Sequence, residues 1–463
     1  MIDVQTKSLE TLLGEAVAQA KADNGAQLLS VTEQIKDTDP VHFFASAGNL
    51  STDRVFWTST SESFSMAGVG NAWEIEAEKN RTQTAERYWQ YLQNHALVHN
   101  PYQEPGTGLV ALGGMSFDPD ARSSGRWNRF GHGSLQVPNV LLTQRHARHY
   151  LTFNIQVRAT DNVDDLKKWV QETKAVVTST RQPLPAIPGI DSQEEIEPEQ
   201  WKDTVQRAAD TIKVGHAEKI VLARELRVTL KDRAPIASIL NKLLTTQPNS
   251  YVFAIERDGD CFVGASPERL VKQDDEQLFS VCLAGTAPRG QTDEDDRAIA
   301  QALLHDDKNR SEHDFVVKMI RQAMDTCCDV VHVPDKPVIH PFQNLQHLYT
   351  PVTAKLNQTY SIFDIIDQLH PTPALGGVPR EASLAFIREH EQLDRGWYGA
   401  PVGWVDNHRN GEFAVGIRSG LIRDDSVSLF AGCGVVRDSD PEAEYDETRI
   451  KLQPILSVLE GSS

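Results

Sequence analysis

Short strand-like runs recur in neighbouring pairs along this chain, and that pairing restricts the fold more than any other feature. Upstream they read "DRVFWTST", "FSMAGVG", "GLVALGGMSF", "NVLLTQ" and "HYLTFNIQV". Downstream come "KIVLAREL", "SYVFAIE", "CFVGASP", "FSVCLAGT", "FAVGIRSGLI" and "VSLFAGCGVV". Helical patterns lie between them, notably over 292–306, 308–326, 361–369 and 441–459. The strict strand–helix alternation of a doubly wound fold is missing. Consecutive runs such as 251–257 with 261–265, and 413–423 with 427–436, read as antiparallel hairpins. The expected class is α+β, with large antiparallel sheets packed together and helices on the outside.

At 463 residues the chain is long enough for two or three average domains or one large one. It divides near 182–200, where four prolines and an acidic run read as an exposed linker. A helix is expected at its end, with Pro198 in the first turn, where a missing N–H costs little. The expected division is 1–195 as an N-terminal half completing the sheets and 196–463 as the catalytic region. No run approaches the ~18 apolar residues of a membrane span. The N-terminus reads as an amphipathic helix broken at Asn24-Gly25, with no apolar core of a secretory signal, so the expected location is cytoplasmic. The five cysteines include no CxxC pair, which fits reduced thiols rather than a disulfide frame or zinc site. The formal net charge of −19 argues against nucleic acid or an anionic membrane as partner. An anionic substrate would need positive charge supplied locally. The expected assembly is a monomer.

Five stretches carry candidate chemistry. In "KIVLARELRV", Ile220, Leu222, Leu226 and Val228 make one apolar face, interrupted by Arg224. Lys219 starts the opposite face, above Val221 and Ala223, either as a solvated strand-end lysine or aimed into a site. In the last helix Asp440 reads as N-cap and Pro441 as the first helical residue. Glu444, Glu447 and Lys451 then share one face. The plain reading is a solvated stripe with an ion pair worth ~0.3–0.5 kcal/mol. The functional one is carboxylate oxygens for a hard divalent cation such as Mg²⁺. Pro454 is expected to interrupt this helix a turn later. Glu312, on the core side of its helix, would cost several kcal/mol unless paired or metal-bound. Glu268 sits where the strand "FVGAS" gives out, solvent-exposed or, given apolar surroundings, raised in pKa as a general acid. Arg418 interrupts an otherwise apolar strand and needs a carboxylate partner, from protein or ligand. "LAGTAPRG" and "HPTPALGG" are weaker signals, for an anion-facing backbone and a rigid pocket wall.

Together "KIVLAREL", "FVGASPERL", "LAGTAPRG", "HPTPALGG", "GWYGAPVGW", "FAVGIRSG" and "AGCGVV…PEAEYDET…K" resemble, in this order, the chorismate-utilising enzyme family. Within it the chain is similar to the isochorismate synthases, and "DRVFWTSTSESFSMAGVG" with "GGMSFDPD" resembles those of menaquinone pathways. The resemblance implies a Mg²⁺-dependent exchange on chorismate, with water entering at ring C2 as the C4 hydroxyl leaves. It implies Lys219 as general base and Glu268 as general acid. It implies Glu312 and Glu447 as metal ligands, with Glu444 acting directly or through water. Arg418 and Lys451 match groups that hold substrate carboxylates, joined by Tyr398 and by backbone at Gly285, Thr286 and Gly432. His347 matches a site-lining histidine. Ala374 stands where salicylate-forming relatives tend to have threonine. Asn309 departs from relatives with a second acid there, a change expected to alter the water shell of the metal. A lysine base must be neutral, which asks for burial or nearby cations; Val221, Ala223 and the bound cation would push that way. The alternatives under the same resemblance are a salicylate synthase that releases pyruvate and an isochorismate synthase of a siderophore pathway.

Overall fold

The computed structural model describes residues 7–121, 124–179, 181–341 and 345–461, without the side chains of Lys308 and Glu312. Among the described residues the strands form two large sheets, of 13 and ten strands. Pairing is antiparallel apart from Gln27–Ile35 beside Leu97–His99. Strands from both ends of the chain share each sheet: Tyr251–Arg257 pairs with Arg54–Ser59, and Pro401–Asp406 with Val110–Met115.

An aromatic-rich layer holds the sheets together. Trp57, Phe253, Phe262 and Phe430 come from the larger sheet and Trp404 and Ala414 from the smaller, all buried. Outside the larger sheet, Leu13, Phe43, Ile239, Leu243 and Ile455 bring helices onto its far face. Ile320, Met324, Phe363 and Ile366 do the same for the smaller one. Each such side chain contributes about 1.5–3 kcal/mol by leaving water. This is the α+β arrangement with outer helices that the run pattern implies.

Local chemistry explains the elements near the site. Tyr251–Arg257 and Asp260–Ser266 form the expected hairpin, with Tyr251 opposite Ser266 and Arg257 opposite Asp260. Asp258 and Gly259 both have positive φ, 47° and 89°, the turn that matches strand twist. Helices at Asp293–His305, Asp307–Cys327, Ile362–Leu369 and Pro441–Leu459 lie where their periodicity put them. The Asp440 side chain caps the last of these by accepting the Ala443 N–H at 2.9 Å.

Three expectations change. Residues 413–423 are two strands, not one. Gly411–Val415 belongs to the smaller sheet, and Ser419–Arg423 crosses into the larger, where it forms the hairpin with Ser426–Val435. Arg418 therefore interrupts no strand. It sits at the crossing in a left-handed conformation, φ 50°. The presumed linker contains an edge strand, Ile190–Glu195, that pairs with Lys219–Leu230; its exposed charges suit a sheet edge, where they oppose further pairing. Pro198 does open the helix Pro198–Lys213. The last helix continues through Pro454 to Leu459, because Ile455, Leu456 and Leu459 are anchored in the apolar layer, which offsets the ~3 kcal/mol cost of an interior proline. Among the described residues no helix is long and apolar enough to cross a membrane.

Candidate active site

Two sheet crossings bring the key groups together. Glu268 lies between Asp260–Ser266 of the larger sheet and Arg269–Asp274 of the smaller, and Arg418 lies at the return crossing. The Ala265 N–H bonds the Arg418 carbonyl at 3.0 Å, and the Val415 N–H bonds the Glu268 carbonyl at 3.0 Å, so the crossings are stitched to each other. A cavity of about 150 Å³ opens beside them. Among its lining residues are Glu268, Ala374, Tyr398, Arg418, Gly432 and Lys451, with Val221 and Ala223 from the Lys219 strand.

Glu268 lies deep among protein atoms, and the surface it retains opens to the cavity. Its carboxylate makes no hydrogen bond to a described residue; the backbone N–H is held by Ser266 Oγ at 3.2 Å. Burial pushes its pKa up to about 7, with Lys451 pulling the other way. Such a carboxyl is about half protonated at neutrality and can donate a proton.

Opposite stand two cations. The Arg418 guanidinium makes one hydrogen bond to the described residues, Nη1 to the Lys451 carbonyl at 3.3 Å, so most of its N–H groups remain for a ligand. Burial lowers its pKa, while Tyr398 and Glu447 act to raise it. Lys451 Nζ donates to the Gly432 carbonyl at 2.9 Å and to Glu447 Oε1 at 2.5 Å. Glu444, one turn before Glu447, accepts from Ser439 Oγ at 2.7 Å. The Cys433 thiol beside them is pushed up by burial first and then by Glu444. Burial also raises the Tyr398 hydroxyl, which stays protonated.

Lys219 opens its strand as expected, half-buried, opposite Val378, the residue after "HPTPALGG". Its side chain runs across Gly434: a Cβ built there would stand 2.4 Å from Lys219 Cε and 3.1 Å from Nζ. Only glycine leaves that path open, and Gly434 was not singled out from the sequence, although the alternation "AGCG" in a strand signals close approach of another group.

Gly285, Thr286 and His347 are not among the cavity's lining residues. Gly285 takes φ 78° as the extra residue of a bulge between Ala284 and Thr286. The Thr286 N–H donates to Asn309 Oδ1 at 3.2 Å. The Thr286 hydroxyl meets His347 Nδ1 at 2.9 Å. Burial lowers the His347 pKa to about 4, helped by Arg418 and Lys451, so the ring is neutral. Asn309 also donates to Asp306 Oδ1 at 2.8 Å, the cap of its own helix, so it ties that helix start to the strand of Thr286. The helix Asp307–Cys327 carries Glu312, whose side chain lies outside the described residues. Two further groups were missed: Arg395, which lines the cavity, and Glu391, its ion-pair partner at 2.6 Å. Their four-residue spacing was the available signal.

A family model described as chorismate binding enzyme matches residues 15–460. Isochorismate synthase MenF of Bacillus subtilis is 41% identical over 96% of this chain and 96% of its own length. The salicylate biosynthesis isochorismate synthase of Pseudomonas aeruginosa is 34% identical over 96% of this chain and 92% of its own. The fold is that of MenF, the menaquinone-specific isochorismate synthase from Escherichia coli, with a TM-score of 0.79 at 24% identity, covering 96% of this chain and 99% of that one. Matched from near its first helix to its last, this chain belongs to the chorismate-binding enzyme family.

Proposed function

We propose that the chain is an isochorismate synthase of the menaquinone type, with Lys219 as general base, Glu268 as general acid and Mg²⁺ as cofactor. The observation that carries this is Glu268: a carboxyl held protonated to about 7 in a cavity that also presents Arg418 and Lys451. Chorismate is a dianion, and these two cations supply locally the charge that a −19 chain otherwise lacks. Water attacks ring C2 and gives a proton to Lys219. The ring double bond shifts, the C4–oxygen bond breaks, and Glu268 protonates the departing hydroxide, so the water taken up equals the water lost. Arg418 and Lys451 hold carboxylates, Tyr398 bounds the pocket, and Ala374 leaves room beside the ring. The 41% identity to a MenF along the whole length supports the menaquinone assignment.

Glu444 and Glu447, one turn apart, suit a hard cation, since adjacent carboxylates repel unless one lies between them. No group of three or more His, Cys, Asp and Glu side chains converges among the described residues, so this pair needs a further ligand, the place the family pattern gives to Glu312. When bound, Mg²⁺ would neutralise a substrate carboxylate and withdraw charge from the ring. Residues 196–463 carry the chemistry in this reading, and 1–195 complete the sheets. Five unpaired cysteines fit a cytoplasmic location.

The test is product analysis of the purified protein with chorismate, with and without Mg²⁺. Isochorismate formed only with Mg²⁺ is expected. Pyruvate with salicylate would move the chain to the lyase reading, and no turnover would reject both.

A further inference from the structure

The Lys219–Leu230 strand has an unusual edge. On one side it pairs continuously with Ser426–Val435. On the other, Gly377–Val378 covers only Lys219 and Ile220, and Ile190–Glu195 begins only at Leu226. Between them lie Val221 to Glu225, whose Val221 and Ala223 line the cavity. A buried strand edge must find partners for its backbone groups.

Backbone closes the two ends of the gap, with the Val221 N–H donating to the Gly376 carbonyl at 3.3 Å and the Ile196 N–H to the Glu225 carbonyl at 3.4 Å, and side chains fill the middle. Arg395 Nη2 donates to the Val221 carbonyl at 2.7 Å. Glu391 Oε2 accepts the Ala223 N–H at 2.8 Å. Trp201 Nε1 donates to the Ala223 carbonyl at 3.0 Å. Arg395 and Glu391 are locked to each other through Nε–Oε1 at 2.6 Å and Nη2–Oε2 at 2.7 Å, and their side chains are only 5% and 3% exposed. Arg395 Nη1 also donates to the carbonyl of Leu375, next to Ala374, at 3.2 Å, and its guanidinium stacks 4.3 Å over Phe117.

Two arginines thus line one cavity in opposite conditions. Arg418 has most of its donors free, whereas four of the five N–H groups of Arg395 are spent on the protein. We infer that the Arg395–Glu391 pair is a positioning clamp: it stands in for a missing strand and fixes the Lys219 strand and the Ala374 loop at one spacing, without contacting substrate itself. The consequence for catalysis rests on the proposed synthase reading; the clamping of the strand does not. A base displaced by about 1 Å loses on the order of a hundredfold in rate, so the clamp acts on turnover more than on binding.

The test compares wild type with Glu391→Gln and Arg395→Lys. Glu391→Gln keeps an acceptor for Ala223 but breaks the ion pair. Expected are a kcat at least tenfold lower with a chorismate KM within about threefold, and a double variant no worse than the poorer single, because the pair works as a unit. Leu142→Ala, in the far part of the larger sheet, is the control for lost stability alone. A kcat within twofold of wild type in folded Glu391→Gln, or a fall matched by the control at equal Tm, would overturn the clamp. Independently of turnover, amide hydrogen exchange at Ala223 must be faster in Glu391→Gln; unchanged exchange there also overturns it. If either variant does not fold, Trp201→Phe, which removes a single N–H from the same edge, must show the faster exchange and a smaller kcat loss in its place.

Discussion

Lys219 lies along the bare backbone of Gly434, its Cε 2.4 Å from where a side chain there would begin. The obstructing atom is the far end of a flexible side chain, so a methyl at 434 is accommodated by moving the lysine rather than the sheet. Gly434→Ala is therefore expected to cost less than about 1 kcal/mol of stability and to lower kcat by about tenfold to a hundredfold. Thermal unfolding and steady-state turnover on the same preparation check this. Normal kcat would mean that the lysine's path over Gly434 is unimportant.

Glu268 as general acid must be protonated to act. With a pKa of about 7 its acid form is the majority below neutrality and declines above it. kcat/KM is expected to fall about tenfold per pH unit on the alkaline side of that value. Glu268→Gln preserves shape and removes the proton, so turnover should drop by about 10²–10⁴ and that alkaline limb should vanish. A near-normal rate would reject the role.

Much of this was legible in the sequence because the signals are local. Strand alternation, the Asp258-Gly259 turn and the Asp440-Pro441 helix start are set by residues within a few positions of one another. Glu268 was readable as a carboxyl at the end of an apolar strand. Arg418 was misplaced because "FAVGIRSGLI" carries no strong turn signal; that its two halves join different sheets depends on partners far along the chain. Arg395 and Glu391 were missed for the same reason, since the strand groups they bind lie 174 and 168 residues away.

The same buried carboxyl predicts a pH-dependent stability. The Glu268 pKa is raised from 4.5 in a free glutamate to about 7 in the fold. Folding therefore favours its protonated form, a contribution complete below about 4.5 and lost as pH rises to about 7. The loss amounts to roughly 3 kcal/mol at most. Glu268→Gln, neutral throughout, should lack that fall and be more stable than wild type at pH 8 in the absence of Mg²⁺, while being nearly inactive. Chemical denaturation of both proteins at pH 5 and pH 8 measures it. Parallel pH profiles would show that the carboxyl is not held in its acid form.

Under the proposed function Glu447 would join two roles, since it pairs with Lys451 at 2.5 Å and shares its helix face with Glu444. It is half-exposed, and an ion pair of this kind contributes about 0–1 kcal/mol, so Glu447→Gln should barely move Tm without metal. Its effect should fall on the cation. Removing one carboxylate from a site of so few ligands is expected to raise the half-saturating Mg²⁺ concentration by about tenfold or more. Activity followed against Mg²⁺, together with calorimetric titration of the metal alone, separates this from damage to substrate binding. An unchanged Mg²⁺ requirement with a raised chorismate KM would place Glu447 with Lys451 as a substrate-holding group instead of a metal ligand.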